Sequence, residues 1–331
     1  MLCIPARALN PERRTVMPQP LRLGTRGSPL ARWQAEWTAG ELRRLGFDVE
    51  LVPITTSGDR QQTGSIGAIG TQGVFTKELQ RALLDGAIDF AVHSLKDLPT
   101  EHVERLTLAA VPARGPVGDC LVSTRYASLD ELPQGAIVGT GSHRRRAQLL
   151  HARPDLKMED VRGNVDTRLR KLAEGQYAAI ILAEAGLIRL QLDGHITQVL
   201  PRAMVLPAVG QGALGIEARA DDEATLSALR LLDDDGTHAA VVAERSMLHH
   251  LLGGCLAPVG GWARVEDDGT LHLSGVVLRA DGGERLFVHH IGDVDEAEEL
   301  GRTAAEELLS LGAARLIADS RGTGGHTAPQ A

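Results

Sequence analysis

Two stretches of this chain read almost alike. Residues 21–34, LRLGTRGSPLARWQ, and residues 136–149, AIVGTGSHRRRAQL, each run from a short apolar strand through Gly-Thr to a serine and into a helical pattern. Ser28 sits as an N-cap, with Pro29 at the first helical position. A strand that passes at once into a helix belongs to an α/β unit with parallel neighbours. Finding the unit twice implies two similar lobes. Each turn also aims backbone N–H groups and a positive helix end at a place where an anion can sit. Two lobes with the chain crossing between them leave a cleft, and ligands favour clefts.

The rest of the chain fits around that pair. In the first unit a strand is expected over 49–55, then a long polar, glycine-rich loop over 57–73, a helix over 75–85 and an apolar strand over 87–93. That order predicts largely parallel pairing. Leu30, Trp33 and Trp37 share one face of the first helix. ARGPVGD (113–119) is the crossing. The second unit holds helices over 143–152 and 164–174 and strands near 157–161 and 178–183, and PAVGQGALGIEAR (207–219) reads as a strand leading out of it. The last third differs. A helix over 237–252 stops at Gly253-Gly254, and strands over 259–266, 270–279 and 284–291 are joined by DDG and DGG hairpin turns. A helix over 294–311 closes it. The expected organisation is therefore α/β in three domains: a flexible leader 1–20, lobe one from 21–113 plus 213–232, lobe two from 117–209, a third domain 235–319 and a flexible tail 320–331.

Composition narrows the function. Aromatic residues make up only 3% of the chain, so the cores must be aliphatic. The net charge of −8 disfavours nucleic acid as a partner. No apolar run approaches the ~20 residues of a membrane helix. Residues 1–20 lack the apolar centre of a secretory signal, so the cytoplasm is expected, and Met17 is an alternative start to Met1. Cys3, Cys120 and Cys255 are odd in number and form no CxxC pair, which argues against a disulfide framework and a metal site.

Lysines are Lys77, Lys96, Lys157 and Lys171 alone; the other basic residues, out of 35, are arginine. GC-rich codons explain that excess, and so does a need to hold carboxylates or phosphates in planar forks. For Arg144 and Arg145, which follow a strand-to-helix turn that is itself an anion site, a solvated basic face and a carboxylate-holding pair both stay open. In the second case, being about 100° apart on a helix, they are expected to hold two separate carboxylates rather than share one. Asp97, in HSLKDLPT, lies just past a buried strand, where chemistry collects in α/β folds, and a helix cap or turn former stays open beside a catalytic carboxylate. Cys255, in LLGGCLAPVGG, follows the C-terminal end of a helix, whose dipole disfavours a thiolate. A turnover nucleophile fits it poorly. A structural thiol and a covalent attachment point, with glycines leaving room, both stay open.

Taken together, LGTRGSPLARWQ, TTSGDR, GVFTKELQRALL, AVHSLKDLPT, IVGTGSHRRRAQL, VRGNVDTRLRKL, AIILAEAGLIRL, LPAVGQGALGIE and AERSMLHHLLGGCLAPVGG resemble the porphobilinogen deaminase (hydroxymethylbilane synthase) family, from Leu21 to Asp319. The resemblance implies two lobes like those of type II periplasmic binding proteins and a small third α/β domain. It implies a transferase, monomeric, that joins four porphobilinogen molecules head to tail with loss of ammonia. The growing chain starts on a dipyrromethane cofactor bonded through a thioether to Cys255, and the linear tetrapyrrole is then hydrolysed off. By the same resemblance Asp97 is catalytic. Lys96, Ser94, Thr140, Ser142, Arg144, Arg145 and Arg168 bind the cofactor, and Arg26, Ser28, Arg162, Arg189 and Gln211 bind substrate. His143, Ala68 and Gln72 depart from the family pattern. The competing reading is a two-lobed anion-binding protein without chemistry, which would carry no covalent adduct.

Overall fold

The computed structural model describes residues 19–55, 76–251 and 257–322, with side chains described as far as residue 320. Cys3, Cys255, Ala68, Gln72, the loop expected over 57–73, nearly all of the leader and the last nine residues lie outside the described residues.

The first lobe comprises β1 (Leu21–Thr25), α1 (Pro29–Arg44), β2 (Val49–Pro53), α2 (Lys77–Leu84), β3 (Phe90–Ser94) and β4 (Leu106–Ala110). The second comprises β5 (Asp119–Val122), β6 (Ile137–Gly139), α3 (His143–Ala152), β7 (Lys157–Glu159), α4 (Val165–Ala173), β8 (Ala179–Ala183), α5 (Glu184–Arg189) and β9 (Gln198–Val199). The chain then returns through β10 (Leu214–Arg219) and α6 (Glu223–Leu229) to the first lobe. Strand order is β2-β1-β3-β10-β4 in one sheet and β7-β6-β8-β5-β9 in the other. The two sheets match position by position, as the repeated sequence predicts.

The pairing is less parallel than expected. β10 runs antiparallel to both β3 and β4, and β5 runs antiparallel to both β8 and β9. The antiparallel member of each sheet is the strand adjoining a crossing, because it enters from the opposite lobe. The outgoing strand is also shorter than 207–219: it begins at Leu214, and residues 209–212 form a turn, with Gly210 and Gly212 at φ of 71° and 84°. The two crossings lie back to back. Gly115 N donates to Gly212 O at 3.1 Å. A Cβ on Gly212 would stand 2.6 Å from Gly115 O and 2.7 Å from Pro116 O, so only glycine fits.

Packing of α1 also differs from the apolar stripe read in sequence. Leu30 and Trp33 are only half-buried, whereas Gln34, Ala35, Thr38, Ala39 and Leu42 face the sheet. Small residues let the helix lie close to the strands, against Leu21, Leu23 and Phe90. The aliphatic core expected for the second lobe is present in Leu121, Val138, Leu149 and Ile181.

The third domain comprises α7 (Asp235–His250), β11 (Val259–Val265), β12 (Leu271–Leu278), β13 (Arg285–Gly292), α8 (Ala297–Ser310) and α9 (Ala313–Gly322). Its three strands form one antiparallel sheet. Met247, Leu273, Val277 and Leu308 fill the core. α9 was not expected: it buries Leu316, Ile317 and Ser320, so the chain is still helical and packed where a flexible tail was expected to start. Glu244 on α7, fully buried, fastens this domain to the crossings. It accepts from Arg114 at 2.6 and 3.0 Å, from Gly210 N at 2.6 Å and from Ala263 N at 2.7 Å.

Candidate active site

Strand β3 is buried along most of its length, and that burial dictates the turn at its end. Leu95 turns back into the core, and its N–H donates to Ala213 O at 3.1 Å. The 3₁₀ turn Leu95–Asp97 then presents Lys96, half-buried, and Asp97, exposed. Two supports hold this turn. Gln34 of α1 donates to Ser94 Oγ at 2.6 Å. Arg245 of α7 donates to Leu98 O at 2.9 Å and to Pro99 O at 2.7 Å.

The facing lobe supplies cations from α3. Ser142 caps the helix by accepting from Arg145 N at 3.4 Å, and buried Thr140 Oγ1 accepts from Ser142 N at 3.2 Å. Arg144 and Arg145 are both buried and, contrary to the expectation that each would hold its own carboxylate, they share one. Arg144 pairs with Asp119 Oδ2 at 2.7 Å and Arg145 with Oδ1 at 2.6 Å. A helical offset of about 100° does not prevent this, because Asp119 opens β5 beneath the helix start and offers one oxygen to each side chain. Arg144 also donates to Leu206 O at 2.6 Å and Arg145 to Ile181 O at 3.0 Å. Burial alone would raise the Asp119 pKa, but the two guanidiniums hold it well below the usual carboxylate range. Burial lowers the pKa of Arg144.

Gln211, buried in the returning crossing, joins the lobes. Its Nε2 donates to Val117 O at 2.8 Å and to Asp119 Oδ1 at 3.0 Å. Its Oε1 takes a long contact of 3.5 Å from Lys96 Nζ. Desolvation pushes Lys96 down to about 8, helped by Arg145 and Arg144 and opposed by Asp97 and Asp119. Burial pushes Arg168 down to about 10, with Arg145 adding to the effect and Asp97 opposing it. Arg189 falls to about 10 through burial; it donates to Gly212 O at 2.7 Å and lies 5.6 Å from the centre of the Trp33 ring.

Lys96, Asp97, Arg144, Arg145, Arg168 and Gln211 therefore form one electrostatic neighbourhood, with Arg189 against the crossing. The remaining candidates stand at its edges. Ser28 caps α1, accepting from Ala31 N at 3.4 Å, and Arg26 is half-buried just before it. Arg162 is exposed, 3.6 Å from Asp160. Sequence reasoning missed Asp119, Gln34 and Arg245. Gln34 carried a signal, being a polar residue on the sheet-facing side of α1; Asp119 and Arg245 had none, since their partners come from other elements.

The neighbourhood is short of negative charge. Among the described residues neither Lys96 nor Arg168 forms an ion pair with a carboxylate, and buried Arg144 Nε has no hydrogen-bond partner. Such a donor set fits a small molecule with several carboxylates. Two matching α/β lobes that bring such cations together define a class of two-lobed α/β proteins with a cation-rich meeting place.

Comparison with known proteins narrows that class. Residues 21–227 match the family model "Porphobilinogen deaminase, dipyromethane cofactor binding domain", and residues 238–310 match "Porphobilinogen deaminase, C-terminal domain". The chain is 48% identical to the porphobilinogen deaminase of Brevibacillus brevis over 302 residues, covering 90% of this chain and 96% of that one. It is 50% identical to that of Desulforudis audaxviator over 301 residues, covering 90% and 97%. Solved structures with some likeness include a periplasmic substrate-binding protein from Coxiella burnetii (16% identity, 63% of this chain and 92% of that one, TM-score 0.41). Another is a nutrient-binding protein from Burkholderia cenocepacia (15% identity, 63% and 91%, TM-score 0.40). The chain belongs to the porphobilinogen deaminase family, and its first matched region is the part of that family that binds the dipyrromethane cofactor.

Proposed function

We propose that this chain is a transferase, a hydroxymethylbilane synthase, that joins four porphobilinogen molecules head to tail on a dipyrromethane tethered at Cys255. In each addition the bond from the methylene carbon to the amine breaks, ammonia leaves, and that carbon bonds to a pyrrole α-carbon that gives up its proton. The cofactor, when bound, supplies the first such α-carbon. Both faces of the cleft come from one chain, which supports a monomer. An odd number of cysteines, with Cys120 buried and unpaired, supports a reducing compartment such as the cytoplasm.

The single observation that carries the reading is the placement of Asp97 on the turn after β3, exposed and opposite surplus cations. Loss of ammonia leaves positive charge on the pyrrole, and a carboxylate on a rigid strand end stabilises it where it develops. The same carboxylate sits well for moving the proton released by the attacking carbon. Each porphobilinogen brings an acetate and a propionate. Lys96 and Arg168, lacking carboxylate partners of their own, are the groups to take them. Arg144 and Arg145, largely engaged by Asp119, add their field and fix the shape of the site. Thr140, Ser142 and Ser94 support the cofactor side. Arg26, Ser28, Arg162, Arg189 and Gln211 serve incoming substrate.

Intact-protein mass spectrometry tests the tether. The purified chain is expected to be heavier than its sequence by one dipyrromethane, with the addition mapping to the peptide containing Cys255. Cys255→Ser is expected to remove both the added mass and tetrapyrrole formation. A bare chain with full activity defeats the reading, and a bare chain that binds porphobilinogen without releasing ammonia restores the binding-protein alternative.

A further inference from the structure

A cavity of about 790 Å³ lies where the first crossing, the second lobe and the third domain meet. Side chains alternate along an extended segment. Asp119 turns toward the arginine pair, while the next residue back, Gly118, faces Glu184 and Val199. The cavity is thus separated from the Asp119 network by the thickness of one strand. Pro116, Val117, Val199 and Leu200 give it apolar walls, and its size is ordinary for a small-molecule site of about 300–1,000 Å³.

Three charged residues line it: Arg114, which is paired with Glu244, and Arg202 and Glu184, which form no ion pair with each other. Arg202 is exposed and stacks on Trp262, its guanidinium carbon 4.3 Å from the ring centre. Arg264 also lies against that ring, 4.4 Å from its centre, and is already paired with Glu266. Among the described residues Arg202 has no carboxylate partner, so its planar fork of donors is available. Glu184, at the start of α5, likewise has no side-chain hydrogen bond or ion pair among the described residues. Its Oε2 lies so near the crossing that a Cβ on Gly118 would be 2.4 Å away. Apolar walls, an aromatic platform, one free cation and one free anion together describe a particular kind of ligand.

We propose that this cavity is a second small-molecule site, which takes an aromatic compound bearing both a carboxylate and an ammonium group. The carboxylate meets Arg202, the ammonium meets Glu184, and the ring lies along the Pro116–Val199 wall beside Trp262. If the chain acts as proposed above, its own substrate is of this class, but the site stands on its own residues. An occupant touches a crossing, the second lobe and the third domain at once.

The probe is 4-(aminomethyl)benzoate, titrated calorimetrically into the holoenzyme, with benzoate and benzylamine as single-charge controls. Saturable binding is expected for the probe, about tenfold weaker for either control. Arg202→Gln and Glu184→Gln are each expected to weaken the probe about tenfold while keeping the parental turnover, which also shows that they fold. Asp97→Ala is expected to leave binding unchanged, and bound probe is expected to slow hydrogen exchange over residues 114–118. Absence of saturable binding overturns the proposal. So does equal affinity in Arg202→Gln and Glu184→Gln, or loss of binding in Asp97→Ala, which would place the probe in the cleft; none of these results touches the transferase reading.

Discussion

Ser28 and Ser142 stand at matching places, each capping the helix that follows a central strand of its lobe. The residues after them differ. After Ser28 the first helical turn carries Pro29 and Leu30, and the lobe keeps its acidic group, Asp97, exposed on a different turn. After Ser142 and His143 come Arg144 and Arg145, cations placed at the positive end of a helix, where the dipole disfavours them. The second lobe makes this tolerable by burying Asp119 beneath them. One local motif thus serves two ends: an open turn in one lobe, and in the other a buried charge cluster that depends on a distant strand.

Exchanging each acid for its amide exposes this contrast most sharply. Asp97→Asn is expected to slow tetrapyrrole formation by about 100-fold or more, with no shift in the urea unfolding midpoint. Asp119→Asn leaves two buried guanidiniums uncompensated and is expected to cost about 3–5 kcal/mol in urea unfolding. Parental turnover in Asp97→Asn, or an unchanged midpoint in Asp119→Asn, breaks the comparison.

Lys96 gives a smaller and pH-dependent effect. Its folded-state value of about 8 lies below the ordinary lysine value of 10.5, so the folded chain sheds this proton first as pH rises. Between those values the unfolded chain binds more protons, and stability rises with pH. In a Cys255→Ser background, Lys96→Met is expected to be more stable than its parent by on the order of 2 kcal/mol at neutral pH. The gap should close from about pH 8 toward 10.5. Denaturant titrations at several pH values check this; a gap that widens with pH contradicts it.

The smallest effect tests the likeness itself. Ser28→Ala and Ser142→Ala each remove one cap bond and are expected to cost about 1 kcal/mol apiece, equally in the two lobes. A much larger loss at Ser142 would mean that the cap also positions Arg145.

The repeated turn was legible because its signals are local: Gly-Thr, a capping serine and helical spacing all lie within fourteen residues. The third-domain sheet was legible for the same reason, through its hairpin turns. The antiparallel members were not, since Leu214 pairs with Ser94 and Asp119 with Ala183 across long separations. The strand-end position of Asp97 could be read from the buried run before it. The sharing of Asp119 could not, because it depends on which way two arginines turn once covered. Trp33 looked like core on a helical wheel, yet small residues face the sheet and the indole is left for Arg189.

Glu244 grips both passes of the chain at once, through Arg114 on one and the Gly210 amide on the other. Any swing of one lobe against the other has to turn about those two passes. The third domain is therefore mounted on the spine of the book, and it is stitched to each cover as well: Arg245 holds Leu98 and Pro99 of the first lobe, and His151 of the second meets Gly282 O at 2.8 Å. Any parting of the pages therefore pulls on this domain through those stitches.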